Sequence, residues 1–123
     1  MSETPKTQPI DSQVHVEQRG AISLVRLVGE HDLSTQEQIS GAIDTALQGD
    51  RDVVVDLGSA SFIDSSTLQA LVAGSRKAAE AGRRLILVIG EERAVVQVFE
   101  LTGLLDSFDF ADSAESAIAR LSG

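Results

Sequence analysis

Between Phe62 and Leu68 one carboxylate, Asp64, stands directly ahead of three hydroxyls, Ser65, Ser66 and Thr67. Such hydroxyls can cap a helix or carry a phosphate, and a carboxylate beside them can cap or can orient a serine. The stretch joins an apolar run, Val53-Val54-Val55, to an amphipathic segment that starts near Ser65 or Ser66. Backbone N–H groups at a helix start lack partners and tolerate added negative charge. Ser66 with Gln69 three residues on fits a capping box, which predicts Ser66 as the structural cap. Asp64 can therefore cap the helix, or orient a serine and meet a partner.

A second polar cluster, Gly29-Glu30-His31-Asp32-Leu33-Ser34, is predicted to be a loop. Asp32 or Ser34 is placed to cap the next helix, and Asp32 keeps a site role open beside that one. His31 lies between two carboxylates and is predicted to be a solvated loop histidine, while His15 falls in a predicted edge strand.

Other chemistries find no support. The chain has no Walker loop, no Gly-x-Gly-x-x-Gly and no Gly-x-Ser-x-Gly elbow. Asp56 follows a Val-rich strand, as the phosphoacceptor of a two-component receiver does. A receiver also needs an acidic cluster after its first strand and a lysine after its last, and the only lysines are Lys6 and Lys77. Asp56 is predicted instead to end a strand and hydrogen-bond to a loop. Neither an enzyme nor a cofactor or metal is expected.

Composition narrows the classes further. Aromatic residues make up 3% of the 123, so the core must be built from Val, Ile, Leu and Ala. The formal net charge of −9 argues against nucleic acid and against an anionic membrane surface, and it suits docking on a basic partner face. Without cysteine there is no disulfide or thiolate chemistry, consistent with a cytoplasmic protein. No segment has the apolar length of a membrane span, and the polar Met1-Ser2-Glu3-Thr4-Pro5 is not expected to be a signal peptide.

The elements that must hold the two clusters follow from periodicity. Residues 1–11 are predicted to be a flexible tail and 12–123 one domain. Alternation from Gln13 to Glu17 and the run Ala21 to Val28, with Arg19-Gly20 between them, predict an antiparallel hairpin. A helix carrying Ile39, Ile43, Ala46 and Leu47 stops near Gly49. Arg51 to Leu57 is a strand buried on both faces, and Gly58 to Phe62 leads on to the Asp64 cluster. The next helix presents Leu68, Leu71, Val72, Ser75 and Ala79, and ends at Gly82. A strand over Arg83 to Ile89, a helix over Glu91 to Leu101 and a short strand at Phe108-Asp109-Phe110 follow. A last helix is capped by Asp112 or Ser113. The order ββαβαβαβα predicts a single α/β domain: a mixed, mostly parallel sheet with a hairpin edge and about four helices.

Four stretches together resemble the STAS domain, and most of all the bacterial anti-sigma factor antagonists. Asp56 to Leu68 is similar to the family signature, Gly29-Glu30-His31-Asp32 to its Gly-Glu-Leu-Asp loop, Arg84 to Val88 to its fourth strand, and Phe99 to Leu104 to its Leu-Thr-Gly-Leu helix end. The resemblance implies a switch. Such antagonists bind an anti-sigma factor that is also a serine kinase, are phosphorylated by it with Mg-ATP at a helix-start serine, let go, and are reset by a serine phosphatase. By position the phosphoacceptor is Ser65, with Asp32, Asp64, Ser66 and Thr67 in the partner-binding region. The family usually has Gly where this chain has Thr67. Two other classes remain: a constitutive STAS accessory subunit of a transport complex or signalling scaffold, and a nucleotide-binding module.

Overall fold

The strand expected to end at Leu57 runs on to Ile63, and that extension positions the residues around Asp64. The computed structural model describes residues 12–122, and the expected tail over 1–11 lies outside the described residues. The strands are β1 (Gln13–Arg19), β2 (Ile22–His31), β3 (Asp52–Ile63), β4 (Leu85–Val88) and β5 (Asp109–Phe110). The helices are α1 (Gln36–Gln48), α2 (Ser65–Glu80), α3 (Arg93–Thr102) and α4 (Ala114–Ser122), with 3₁₀ turns at Leu33–Thr35 and Leu105–Ser107.

All five strands form one sheet in chain order, β1-β2-β3-β4-β5. β1 and β2 make the expected antiparallel hairpin, closed by Gly20 at φ +61°. The remaining pairs are parallel. Because the strand order advances in one direction, crossovers of one hand bring α1, α2 and α3 onto the same face. There Val53, Val55 and Leu57 of β3 meet Ile39, Ile43, Leu68, Leu71, Val95 and Phe99. The alternate residues of the strands, Leu24, Val54 and Ile86, point the other way and pack under Ala114 and Ala117 of α4. This two-sided burial is why Val53-Val54-Val55 is apolar without interruption.

Three of the four phenylalanines gather in one place. Phe99 of α3 meets Phe108 and Phe110 edge to face, with ring centroids 5.8 and 6.0 Å away. Phe108 lies just outside β5 but is anchored by this cluster. Ser113 caps α4 reciprocally with Ser116: each hydroxyl accepts from the other residue's backbone N–H.

Helix α2 is turned relative to expectation. Its buried residues are Thr67, Leu68, Ala70, Leu71, Gly74 and Ala78, whereas Val72 and Ser75 are half-buried and Ala79 is exposed. Gly74 explains the rotation, since a Cβ there would come within 2.7 Å of Ile43 Cδ1. Ala70, Gly74 and Ala78 of α2 are buried, and Gly74 lies against Ile43 of α1. Helix α3 starts at Arg93, two residues later than expected, because Glu92 is still extended at ψ 121°.

Two register shifts on β3 carry it past the ordinary end of the sheet. Arg26 pairs with Asp56 but Val28 with Ser59, and Gly29 pairs with Ala60 but Glu30 with Phe62. Asp56 is therefore inside the strand, not at its end. Its Oδ1 accepts from Gly58 N–H (2.8 Å) within the first irregularity, and Arg26 Nε lies 3.4 Å from its Oδ2. The expected loop from Gly29 is likewise strand as far as His31, which pairs with Ile63.

Candidate functional site

The extended β2 and β3 end side by side, and each hands over to the same local motif. Asp64 is the N-cap of α2, extended at φ −110°, and its Oδ1 accepts from Ser66 N–H (3.0 Å), Thr67 N–H (3.1 Å) and the Ser66 hydroxyl (2.6 Å). Asp32 caps the 3₁₀ turn in the same way, accepting from Ser34 N–H (2.9 Å) and the Ser34 hydroxyl (2.6 Å). The spacing Asp-x-Ser thus folds twice into one turn. The expected division of labour at α2 is corrected: Asp64 is the cap, and Ser66 is a helical residue that donates to it. A carboxylate one residue before the helix reaches two unpaired N–H groups, whereas the Ser66 hydroxyl is drawn onto that carboxylate.

The two turns are tied together. Asp64 N–H donates to His31 O (3.1 Å), and Gln36 Nε2, at the start of α1, donates to Ser66 O (3.2 Å). His31 is fully buried between them, not solvated as expected. Its Nε2 lies 2.9 Å from Val28 O and its Nδ1 2.9 Å from the Thr35 hydroxyl. Burial holds the imidazole pKa below its ordinary value, against the opposing pull of the Val28 and Gln13 backbone and the Asp32 carboxylate. Bonds from Ser34 hold the Asp32 carboxyl below the usual range.

The three hydroxyls at the helix head fall into three environments. Ser65 is exposed, and its hydroxyl has no hydrogen-bond partner among the described residues. Ser66 is half-buried and committed to Asp64. Thr67 is fully buried, and its Oγ1 lacks a partner among the described residues. Only Ser65 can be reached by another protein without rearrangement.

Around Ser65 the surface is acidic and apolar. Glu30 and Asp32 are exposed, as are Leu33 (69%) and Phe62 (42%). Phe62 stands beside Glu30 in register. From Ser65 a groove of about 380 Å³ runs along α2, lined by Leu68, Gln69, Val72, Ala73 and Arg76, with Leu104 opposite. Arg76 is eleven residues on, about 16 Å along the helix, too far to pair with a group on Ser65. The exposure of Leu33 and Phe62 has no signal in the sequence, where an isolated apolar residue reads the same whether it is buried or bare. Among the described residues no helix is long and apolar enough to cross a membrane, and no three His, Asp or Glu side chains gather as a metal site.

A sheet of this order, with an exposed serine on a capped helix at the carboxyl ends of its parallel strands, defines a SpoIIAA-like α/β domain. The family model described as Mlab, STAS domain, matches residues 14–108, and the chain belongs to the STAS domain family. It is 29% identical over 92 residues to anti-sigma-B factor antagonists of Staphylococcus aureus, an alignment covering 74% of this chain and 84% of theirs. The solved anti-sigma factor antagonist SpoIIAA in its unphosphorylated form superposes with a TM-score of 0.74 at 25% identity, over 90% of this chain and 99% of that one. The phosphorylated form of the Bacillus cell fate determinant SpoIIAA gives 0.69 at 29% identity, over 88% and 98%. An anti-sigma factor antagonist from Mycobacterium paratuberculosis shares the fold, with a TM-score of 0.77 at 24% identity over 96% and 100% of the two chains.

Proposed function

We propose that this chain is an anti-sigma factor antagonist whose grip on its partner is switched by phosphorylation of Ser65. In this reading it is the substrate of an anti-sigma factor that is also a serine kinase, not itself a catalyst. A serine phosphatase removes the phosphate, and the whole cycle runs in the cytoplasm alongside transcription. The relatives named above carry the antagonist part of the reading. One observation carries the switch: of three adjacent hydroxyls, only that of Ser65 is exposed and uncommitted.

The physics of the switch is local. A phosphate on Ser65 brings roughly −1.5 to −2 charges. The positive end of the α2 dipole accepts that charge without unfolding. At a docked face the same charge lies among Glu30, Asp32 and Asp64, where desolvation and like-charge repulsion oppose binding. The partner surface comprises Leu33, Phe62, Asp32, the head of α2 and the groove along it. Asp64, Ser66 and Thr67 contribute by holding that head in shape.

Titration calorimetry with the purified anti-sigma factor tests the switch. Ser65→Asp is expected to weaken binding at least tenfold relative to wild type, with an unchanged melting temperature. Equal affinities would reject the switch and assign the chain to the constitutive accessory subunits of the family.

A further inference from the structure

The sequence that resembles Gly-Glu-Leu-Asp reads Gly-Glu-His-Asp here, so a histidine occupies the position of a leucine. A polar ring at a fully buried position is costly unless it is bonded, and this one is bonded at both nitrogens. We infer that His31 is a positioning residue that locks the Asp32 turn against the Ser65 helix head, and that the lock is made by the neutral ring. The inference rests on the reading of Ser65 as the switch for its purpose, but not for its geometry.

A carbonyl only accepts, so Nε2 facing Val28 O carries the hydrogen. In the neutral ring Nδ1 is then the acceptor, and the Thr35 hydroxyl donates to it. Thr35 N–H meanwhile donates to Asp32 O (3.2 Å), closing the turn. The His31 carbonyl receives Asp64 N–H, so a single residue holds the end of β2, the Asp32 turn and the cap of α2. Protonation puts a hydrogen on Nδ1. Thr35 must then turn its own hydroxyl away, toward Asp32 O at 3.3 Å, and a buried charge is left without a contacting counter-ion.

Of the titratable side chains on the elements that meet at this corner, those nearest to it along the chain are Glu30 and Asp32 on either side of His31, Glu37 on the first turn of α1, Asp64 at the head of α2 and His15 on β1. Asp32 is the charge that favours the protonated ring, but its carboxylate is already committed to Ser34. The sign follows. Above the ordinary imidazole pKa of about 6.5 the lock is complete. As pH falls the unfolded chain takes up the proton first, so stability declines from there down to the lowered folded pKa. Below that value the folded ring is charged, its bond with Thr35 is reversed, and the turn is loosened beside the His31 carbonyl that receives Asp64 N–H.

The test is a pH titration of the full chain by ¹H–¹⁵N NMR from pH 8 to 4.5, for wild type, His31→Leu and Thr35→Val. Leucine fills the site without bonding, and so separates positioning from packing. In wild type the ring is expected to titrate below the range of a solvent-exposed imidazole. The amides of Ser34, Thr35, Asp64 and Ser65 are expected to shift with that same midpoint. In His31→Leu that step should vanish, and in Thr35→Val its midpoint should fall further, because the charged ring loses its acceptor. Asp64 and Ser65 amides that stay still while the ring titrates would overturn the coupling, as would a step that survives in His31→Leu. These readouts need no partner. A Ser65 that takes no phosphate leaves them standing, whereas immobile amides reject the lock whatever Ser65 does.

Discussion

Asp64→Ala is expected to lower the stability of the protein by about 2 kcal/mol, at the upper end of the range for an N-cap. Its Oδ1 accepts two backbone N–H groups and one hydroxyl, and the carboxylate faces the positive end of a sixteen-residue helix. Removing it leaves both amides to water and frees the Ser66 hydroxyl. Asp64→Asn is the control, because asparagine caps nearly as well without the charge. It should recover more than half of the loss in a urea titration. A change in Asp64→Ala as small as that of an average surface substitution, within about 0.5 kcal/mol, would mean that the turn is not what holds α2 in place.

Gly90→Ala is expected to cost about 3 kcal/mol, from two independent sources. Gly90 has φ +80°, and a Cβ there would come within 2.8 Å of Gly58 Cα, a backbone atom that cannot step aside. Gly58 sits in the first register shift of β3, held by Asp56. The clash is thus delivered to the segment that carries the chain toward Asp64. Gly20→Ala isolates the first source, because Gly20 has φ +61° with open space around it. That variant should lose about 1 kcal/mol. Thermal melts of the two proteins side by side measure the difference, and equal losses would show that the Gly58 contact relaxes freely.

The architecture is legible in the sequence wherever burial decides periodicity. Val53-Val54-Val55 announces a two-faced central strand. The alternation in β1 announces a strand but overstates its cover: of Gln13–Arg19 only Val14 is half-buried, and Val16 is 56% exposed. The crossovers then follow from chirality. What escapes is whatever depends on irregular pairing. Nothing in Gly58 to Phe62 signals that a strand twice out of register continues to Ile63, since bulges are set by the partner strand. The same blindness hid His31. Between two carboxylates it reads as a solvated loop residue, but extending β2 by three residues places it inside. The capping box at Ser66 was a reasonable pattern that lost to a stronger competitor, because Asp64 stands one residue before the helix and its carboxylate reaches the N–H groups first. In the sequence the proposed acceptor, Ser65, rests on resemblance alone. The physical reason it differs from Ser66 and Thr67, an uncommitted and exposed hydroxyl, is visible only in three dimensions.

The most direct test of the switch is the intact mass of the purified chain after incubation with its anti-sigma kinase and Mg-ATP, for wild type and Ser65→Ala together. One phosphoryl group on wild type and none on the alanine variant is the expected result. A phosphoryl group on both would move the acceptor to another hydroxyl, and none on either while both still bind the kinase would contradict the account.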